Sequence, residues 1–337
     1  MNFDLIITTY NRPKEVSSLV TQAMGCDPAP ETIIVVDSSD EENTELSALN
    51  GVRYIRSSHK NQPYQRLLGA LTSEADIVVF LDDDLDIIDP EIFKILITSF
   101  VDSQTVGATV NINIQSFIGE EFELPLLKRD SKIFKFISWL TSAKLPPRGK
   151  SGRLGIVGGR PDQSQNTEFF SGACMTFRRE IIPNIIPYSL ISLYERKLGK
   201  GEDKVISMFA NRFGTLKYYH KICLMHPPND SSYYKNVQDF FKRVMYSRLY
   251  LSKVYAKVFS HSLVKEILIY YWFGIWRLMI ATITYFAKPS KTRKDKVLGI
   301  LNGLWLSLTL PHKPEKITPG INWDVEIQKD LARASNS

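Results

Sequence analysis

Four short, almost uninterrupted apolar runs open the chain: "FDLIITTY" (3–10), "TIIVVDSS" (32–39), "VRYIRS" (52–57) and "DIVVFLDDD" (76–84). Helical segments follow three of them: "RPKEVSSLVTQAM" (12–24), "NQPYQRLLGALTS" (61–73) and "DPEIFKILITSFV" (89–101). For the last, Asp89 is expected as N-cap, with Pro90 at the first helical position. Continuous apolar strands alternating with helices predict an α/β fold with a doubly wound, mostly parallel sheet. In such sheets ligands bind at the carboxyl ends of the strands. "TTYNR", "DSSD" and "DDD" therefore fall on one rim.

The fourth run ends in three adjacent carboxylates, Asp82, Asp83 and Asp84. Like charges repel, and a buried carboxylate is costly unless it is paired or bound to a metal. A cation is expected there. Hard divalent ions, Mg²⁺ or Mn²⁺, suit carboxylate ligands. A diphosphate leaving group is the kind of substrate that such an ion neutralises.

The order of the motifs resembles that of the inverting family 2 glycosyltransferases of GT-A fold. These are "TTYNRP", "VVDSSD", "NQPYQRLLGA", "FLDDD", "FFSGACMTFRRE" and "GED". The resemblance covers roughly residues 1–230, with a nucleotide-sugar half to about 105 and an acceptor half over 106–230. It implies that Asp82 and Asp84 form a D-x-D metal motif, and that Asp82 and Asp83 face the nucleotide sugar. It implies that Asp37 accepts hydrogen bonds from the nucleobase. Thr8 and Tyr10 would line the base pocket, and Arg66, with Arg12, would reach base or phosphate. Glu202 and Asp203 match the family's acidic pair, Asp203 as the base that deprotonates the acceptor hydroxyl. His226 is the expected third metal ligand, with His220 as its competitor. Gly172 and Ala173 would belong to the wall facing the acceptor.

Residues 144–168, rich in Gly, Pro and Arg, read as a mobile loop over the site or a surface connection, and 148–160 within them match no family motif. The C-terminal third also lies outside the resemblance. The net charge of +6 is unevenly spread: residues 235–300 hold 13 Lys/Arg against 3 Asp/Glu, so the rest of the chain is negative. An anionic partner is implied. Residues 231–312 read as a basic, aromatic helical region and 313–337 as a polar tail. The segment 267–286 is long enough to span a bilayer, but Arg277 sits near its centre and aromatics crowd it. The expectation is a region lying on the cytoplasmic leaflet, with a single span or protein core as alternatives. Cys26, Cys174 and Cys223 have no zinc spacing and suggest a reducing compartment. "MNFDLIITTYNRP" lacks the pattern of a secretory leader.

The function expected is metal-dependent transfer of sugar from a nucleotide-sugar donor, UDP- or dTDP-linked, to a glycan or lipid-linked acceptor. Nucleic acid is not expected as a partner. The rival readings are a sugar-nucleotide pyrophosphorylase, whose glycine-rich opening loop "ITTYNRP" lacks, and an inactive membrane-associated scaffold.

Overall fold

The computed structural model describes residues 1–114, 139, 143–227, 236–310, 316 and 318–335. The boundaries expected at 230–231 and 312–313 lie outside the described residues.

The four apolar runs are strands β1 (Phe3–Thr9), β2 (Ile33–Asp37), β3 (Val52–Arg56) and β4 (Ile77–Asp82). All four are parallel, in the order β3-β2-β1-β4. Helix α1 (Pro13–Met24) lies between β1 and β2, and the single turn α2 (Thr44–Ser47) precedes β3. Helix α3 (Gln62–Thr72) follows β3, capped by Asn61, whose Oδ1 accepts from the Tyr64 amide. The register places Thr8 beside Asp82 and Thr9 beside Asp37, so the polar clusters share one rim.

Past β4 the sheet becomes mixed. The two-residue β5 (Asp86–Ile87) precedes α4 (Ile92–Thr98). Helix α4 starts later than expected: Asp89 Oδ1 accepts from the Glu91 amide at 2.9 Å, outside the helix, and Glu91 occupies the cap. Strands β6 (Thr105–Ile114), β7 (Gln165–Thr167), β8 (Cys174–Arg178) and β9 (Thr215–His226) complete nine strands among the described residues. Strand β8 is antiparallel to both β4 and β6, while β6 and β9 are parallel. Apolar side chains fill both faces of the sheet. Between β8 and β9 come α5 (Ile182–Ile185), α6 (Tyr188–Glu195) and α7 (Glu202–Ala210).

Residues 144–168 are held by contacts that a mobile lid would lack. Their backbone bonds to itself, with Gly149 N donating to Gly159 O at 2.9 Å and Gly158 N to Lys150 O at 3.0 Å. A Cβ at Gly158 would stand 1.8 Å from the Pro147 carbonyl oxygen, so the tight approach requires glycine. The loop is pinned on α8 (Val237–Val258), where Arg248 donates to Leu154 O at 2.8 Å, and on α9 (Leu263–Ala287). The α9 contact is an ion pair, Arg153 Nε to the buried Glu266 at 3.0 Å.

Helices α8, α9 and α10 (Lys291–Thr309) pack against one another around Phe241, Met245, Tyr270, Phe273 and Ile300. The C-terminal segment is not a polar tail. Residues Trp323–Ala334 form α11, which docks on α3 and β3. Trp323 and Ile327 are buried in the main core, and Trp323 Nε1 donates to Ser192 Oγ at 2.9 Å. The fully buried Asp330 accepts from Tyr64 OH at 2.9 Å, Ser58 Oγ at 2.8 Å and Ser58 N at 3.0 Å. Replacing Asp330 by Ala strands those donors. Chemical denaturation is expected to show a loss of about 1–3 kcal/mol. An unchanged midpoint would return α11 to the status of a tail.

Candidate functional site

Each strand delivers its last side chains to the rim. Asp37 ends β2 and is buried by its neighbours. It accepts from Tyr54 OH, from the Ser39 amide at 2.7 Å and from Arg56 Nη1 at 3.3 Å. A cavity of about 770 Å³ opens beside it, lined by Thr9, Asn11, Ser39 and Asp40 among others. Thr8, the expected lining residue, does not line it; Thr9 does, because successive strand residues face opposite sides. Tyr10 is 44 % exposed; Lys60 sits 4.4 Å over its ring and donates to its hydroxyl at 3.0 Å.

The aspartate triplet divides between two arginines. Arg12 Nη1 bonds to Asp83 at 2.8 Å and to Asp84 at 2.7 Å, and Thr9 Oγ1 donates to Asp83 at 2.7 Å. Asp82 turns the other way: it accepts from Arg66 Nη2 at 2.8 Å and from Gln62 Nε2 at 2.9 Å. Gln62 and Arg66 lie one turn apart on α3, which brings both to the same carboxylate.

Arg66 is 1 % exposed. Its other partners are the Gly172 carbonyl at 2.8 Å and Glu202 Oε1 at 3.3 Å. The position expected to reach base or phosphate is thus an internal clamp that joins the D-x-D strand to the acidic pair. Sequence reading missed this role, although the Gln62–Arg66 spacing carried the signal.

Glu202 and Asp203 open α7, where the helix dipole favours carboxylates. Gly201 before them has φ +81°, which turns the chain into the helix. Burial pushes Glu202 up, but Arg66 and a short hydrogen bond from Tyr194 outweigh it, leaving the carboxyl below its ordinary value. For Asp203, burial and the adjacent Glu202 charge win, and its pKa is raised. A Cβ on Gly172 would stand 3.0 Å from Glu202 Oε1, so a larger residue there would press on that carboxylate. The Ala173 carbonyl accepts from the Asp82 amide at 3.1 Å, placing β4 and the acceptor-side wall edge to edge.

Asp82, Gly172, Ala173, Glu202, Asp203 and His226 line a second cavity, of about 560 Å³. Helix α8 closes it with Val244, Ser247, Arg248 and Leu251, a wall no motif announced. Burial pushes the Asp82 carboxyl up to about 7 despite Arg66, with Asp84, Glu202 and Asp83 adding repulsion. Four carboxylates, Asp82, Asp83, Asp84 and Glu202, thus share two arginines, Arg12 and Arg66. His226 Nε2 stands 3.5 Å from Asp84 Oδ1, close enough for both to hold one ion. Among the described residues no group of three His, Cys, Asp or Glu gathers into a complete metal site. The donor set fits a divalent ion completed by substrate phosphate and water, the usual manner of Mg²⁺. His220, the competing histidine, is exposed and does not line this cavity.

The fold is shared with S. aureus TarS. Its 1–349 fragment aligns with a TM-score of 0.52 at 14 % identity, covering 100 % of this chain and 88 % of that one. The same fragment in complex with UDP-GlcNAc aligns with a TM-score of 0.52 at 15 % identity, covering 100 % and 89 %. The longer TarS structure gives 0.51 at 14 % identity, covering 99 % of this chain and 54 % of that one. No curated protein matches the sequence. Residues 4–186 match the family described as "Glycosyl transferase family 2", which is more than half of the chain. With the GT-A sheet and its rim of carboxylates, that match makes the chain a member of glycosyl transferase family 2, a glycosyltransferase.

Proposed function

We propose that the protein transfers a sugar, with inversion and with help from a divalent cation, from a UDP- or dTDP-linked donor to a hydroxyl of a glycan or lipid-linked acceptor. The observation that carries this reading is that Asp82 and Asp203 line one cavity, and that Arg66 bonds both Asp82 and Glu202, the neighbour of Asp203. Asp37 and Thr9 border the space for the nucleoside. Tyr10, at the rim, supplies a ring against which a base packs once Lys60 yields. Asp84 and His226, with Asp82 behind them, would hold Mg²⁺ or Mn²⁺. Such an ion offsets charge on a departing diphosphate. Arg12 bonds to Asp83 and Asp84 and must shift or share those carboxylates when the ion binds. Asp203, with its raised pKa, takes the proton from the acceptor hydroxyl as that oxygen attacks the anomeric carbon. Glu202, held ionised by Arg66 and Tyr194, keeps Asp203 basic through repulsion and stays out of the proton transfer.

The donor half of the reading is tested by Asp84→Asn, which keeps the size and removes the charge. Calorimetric titration with UDP- and dTDP-sugars, with and without Mn²⁺, is expected to lose the metal-dependent part of the affinity. The loss should reach at least the roughly 10–100-fold that changes outside the ligand shell already cause. Undiminished metal-dependent binding would remove Asp84 from the site.

The reading extends to a location on the cytoplasmic face of the membrane. Helix α9 is long and apolar enough to cross a bilayer by length and composition. Its Tyr270, Phe273, Gly274 and Ala281 are buried in protein, while Leu268, Trp272, Ile275, Met279, Ile283 and Phe286 are exposed along one stripe. Leu301, Trp305 and Leu308 of α10 are exposed as well. A helix half-packed on protein and half bare, beside Lys288, Lys291, Arg293, Lys294 and Lys296, suits an anionic lipid surface better than a span. Vesicle sedimentation of the full chain is expected to show partial release at high salt and fuller release in detergent. Each Lys or Arg near the surface adds about 1 kcal/mol of salt-screened attraction. Resistance to both salt and alkaline carbonate would indicate a span, and absence of vesicle binding would indicate a face covered by protein.

A further inference from the structure

The polar contacts that dock α11 converge on residues 57–61, the link between β3 and α3. Asp330 accepts from the amide and the hydroxyl of Ser58. His59 is gripped from two sides: Nδ1 lies 3.2 Å from Glu195 Oε1 at the end of α6, and Nε2 lies 3.7 Å from Glu326 Oε2 on α11. The half-buried ring also meets Tyr64 and Trp323 edge-on, at 4.9 Å and 5.1 Å between centroids. A neutral imidazole bears one N–H and one lone pair, so one of its nitrogens would face a carboxylate with no proton between them. The doubly protonated ring suits both. Each surrounding element contributes a group that faces it: Glu195 from α6, Tyr64 from α3, Glu326 and Asp330 from α11. Cations stand behind these. Lys329 bonds Glu326 at 2.9 Å, Arg333 bonds Asp330 at 3.1 Å, Lys197 acts on Glu195, and the adjacent Lys60 is turned to Asp40 at 2.6 Å. The hydrogen bond to Glu195 raises the His59 pKa, burial opposes it, and the charges of Glu195, Glu326 and Asp330 add to the rise. The grip is therefore complete below the unfolded value of about 6.5 and is lost as pH rises through the higher folded value.

The gripped loop is built into the donor rim. Ser57 N donates to Asp37 O at 2.8 Å, which fixes the end of β2 beside the 770 Å³ cavity. Glu195 Oε2 accepts from Asn61 Nδ2 at 3.1 Å, and Asn61 also donates to Ile191 O at 2.9 Å while capping α3. The first turns of α3 then carry Gln62 and Arg66 to Asp82, and Gln65 to the Thr9 and Val36 carbonyls at 3.1 Å and 2.8 Å. One carboxylate, Glu195, thus holds both the protonated ring and the cap of the helix that orders the rim.

We propose that His59 is a positioning residue of the donor site: while it carries both protons, Glu195 and the C-terminal helix hold loop 57–61, and with it the end of β2 and the start of α3, in the arrangement that binds the nucleotide. This rests on the donor assignment made above. Linkage is reciprocal, so a proton that tightens the nucleotide must itself be tightened by it to the same degree. The full chain, labelled with ¹³C at the histidine Cε1 atoms, is titrated with pH in Mg²⁺, without nucleotide and with saturating UDP or dTDP. Of the five histidines, His59 is the one whose resonance His59→Gln removes. A coupling of roughly 5-fold or more is expected, which raises its midpoint by about 0.7 pH unit or more when nucleotide binds. Calorimetry should show the same factor: wild-type affinity falls across the midpoint, His59→Gln stays at the weak level, and His59→Arg, which keeps the charge, stays at the tight one. Thermal melts establish that each variant folds, and the midpoint shift needs the wild-type chain alone. A midpoint that stays or falls as a nucleotide binds would overturn the proposal and leave the donor reading standing. So would a pH dependence of affinity that His59→Arg shares in full with wild type. If neither nucleotide binds at any pH, the donor reading falls and this one with it.

Discussion

Replacing Asp203 by Asn is expected to lower turnover by roughly 10²–10⁴-fold, the usual worth of a positioned general base. Affinity for the nucleotide sugar should survive, because the base acts on the acceptor and not on the donor's ground state. The pH dependence has a definite sign. Burial and the Glu202 charge raise Asp203 above the ordinary carboxylate value, so the wild-type rate climbs as pH rises through that raised value. The two carboxylates titrate as a pair, so the acid limb belongs to both. Stability moves oppositely. The folded state holds the Asp203 proton longer than the unfolded chain does, so no penalty exists below the unfolded pKa of about 3.9, and one grows as pH rises through the folded value. Asp203→Asn removes that penalty. The inactive variant is therefore expected to melt higher than wild type near neutral pH, with the gain fading in acid. Single-turnover kinetics and melts at two pH values decide it. If Glu202→Gln is the dead variant and Asp203→Asn is nearly wild type, the two roles exchange.

The sheet and its rim were legible because strands buried on both faces read as unbroken apolar runs, and a carboxylate at the end of such a run demands a partner. The paired acids of "GED" were legible only through the family resemblance, because a helix start favours carboxylates whether or not they do chemistry. What failed to show was long-range. Nothing local in "KRVMYSRLYL" says that Ser247, Arg248 and Leu251 close a cavity whose other wall lies more than forty residues earlier. Helix α11 is different, for its signal was present: Trp323, Ile327 and Leu331 recur every fourth residue, one apolar stripe in an otherwise charged segment. Its polar average composition concealed it. The loop at 144–168 reads from its Gly, Pro and Arg content as either a mobile loop over the site or a surface connection. At Gly155, with φ +65°, glycine instead allows the chain to pass where a Cβ would lie 2.5 Å from Leu251 Cδ1.

Arg66 is where fold and chemistry are hardest to separate, and Arg66→Met is expected to cost about 3–5 kcal/mol of stability, as removing one partner from a buried ion cluster does. Methionine fills much of the volume, so the loss is electrostatic: the half-buried Asp82 and Glu202 lose their shared cation, and the Gly172 carbonyl loses a donor. The pH dependence follows from the two carboxylates. With Arg66 present, Glu202 lies below its ordinary value and so contributes stability above the unfolded pKa, lost only as pH falls through the folded one. Without Arg66, both carboxyls rise and favour protonation. The deficit against wild type should therefore be greatest near pH 8 and shrink towards pH 5. Arg66→Lys keeps a charge but not the planar fork that spans Asp82, Glu202 and the carbonyl, so it should recover only part of the loss. Urea denaturation of the metal-free full chain at both pH values provides the measurement. A deficit under about 1 kcal/mol, or one independent of pH, would show that the carboxylates find other partners and that Arg66 does not hold the donor strand to the base.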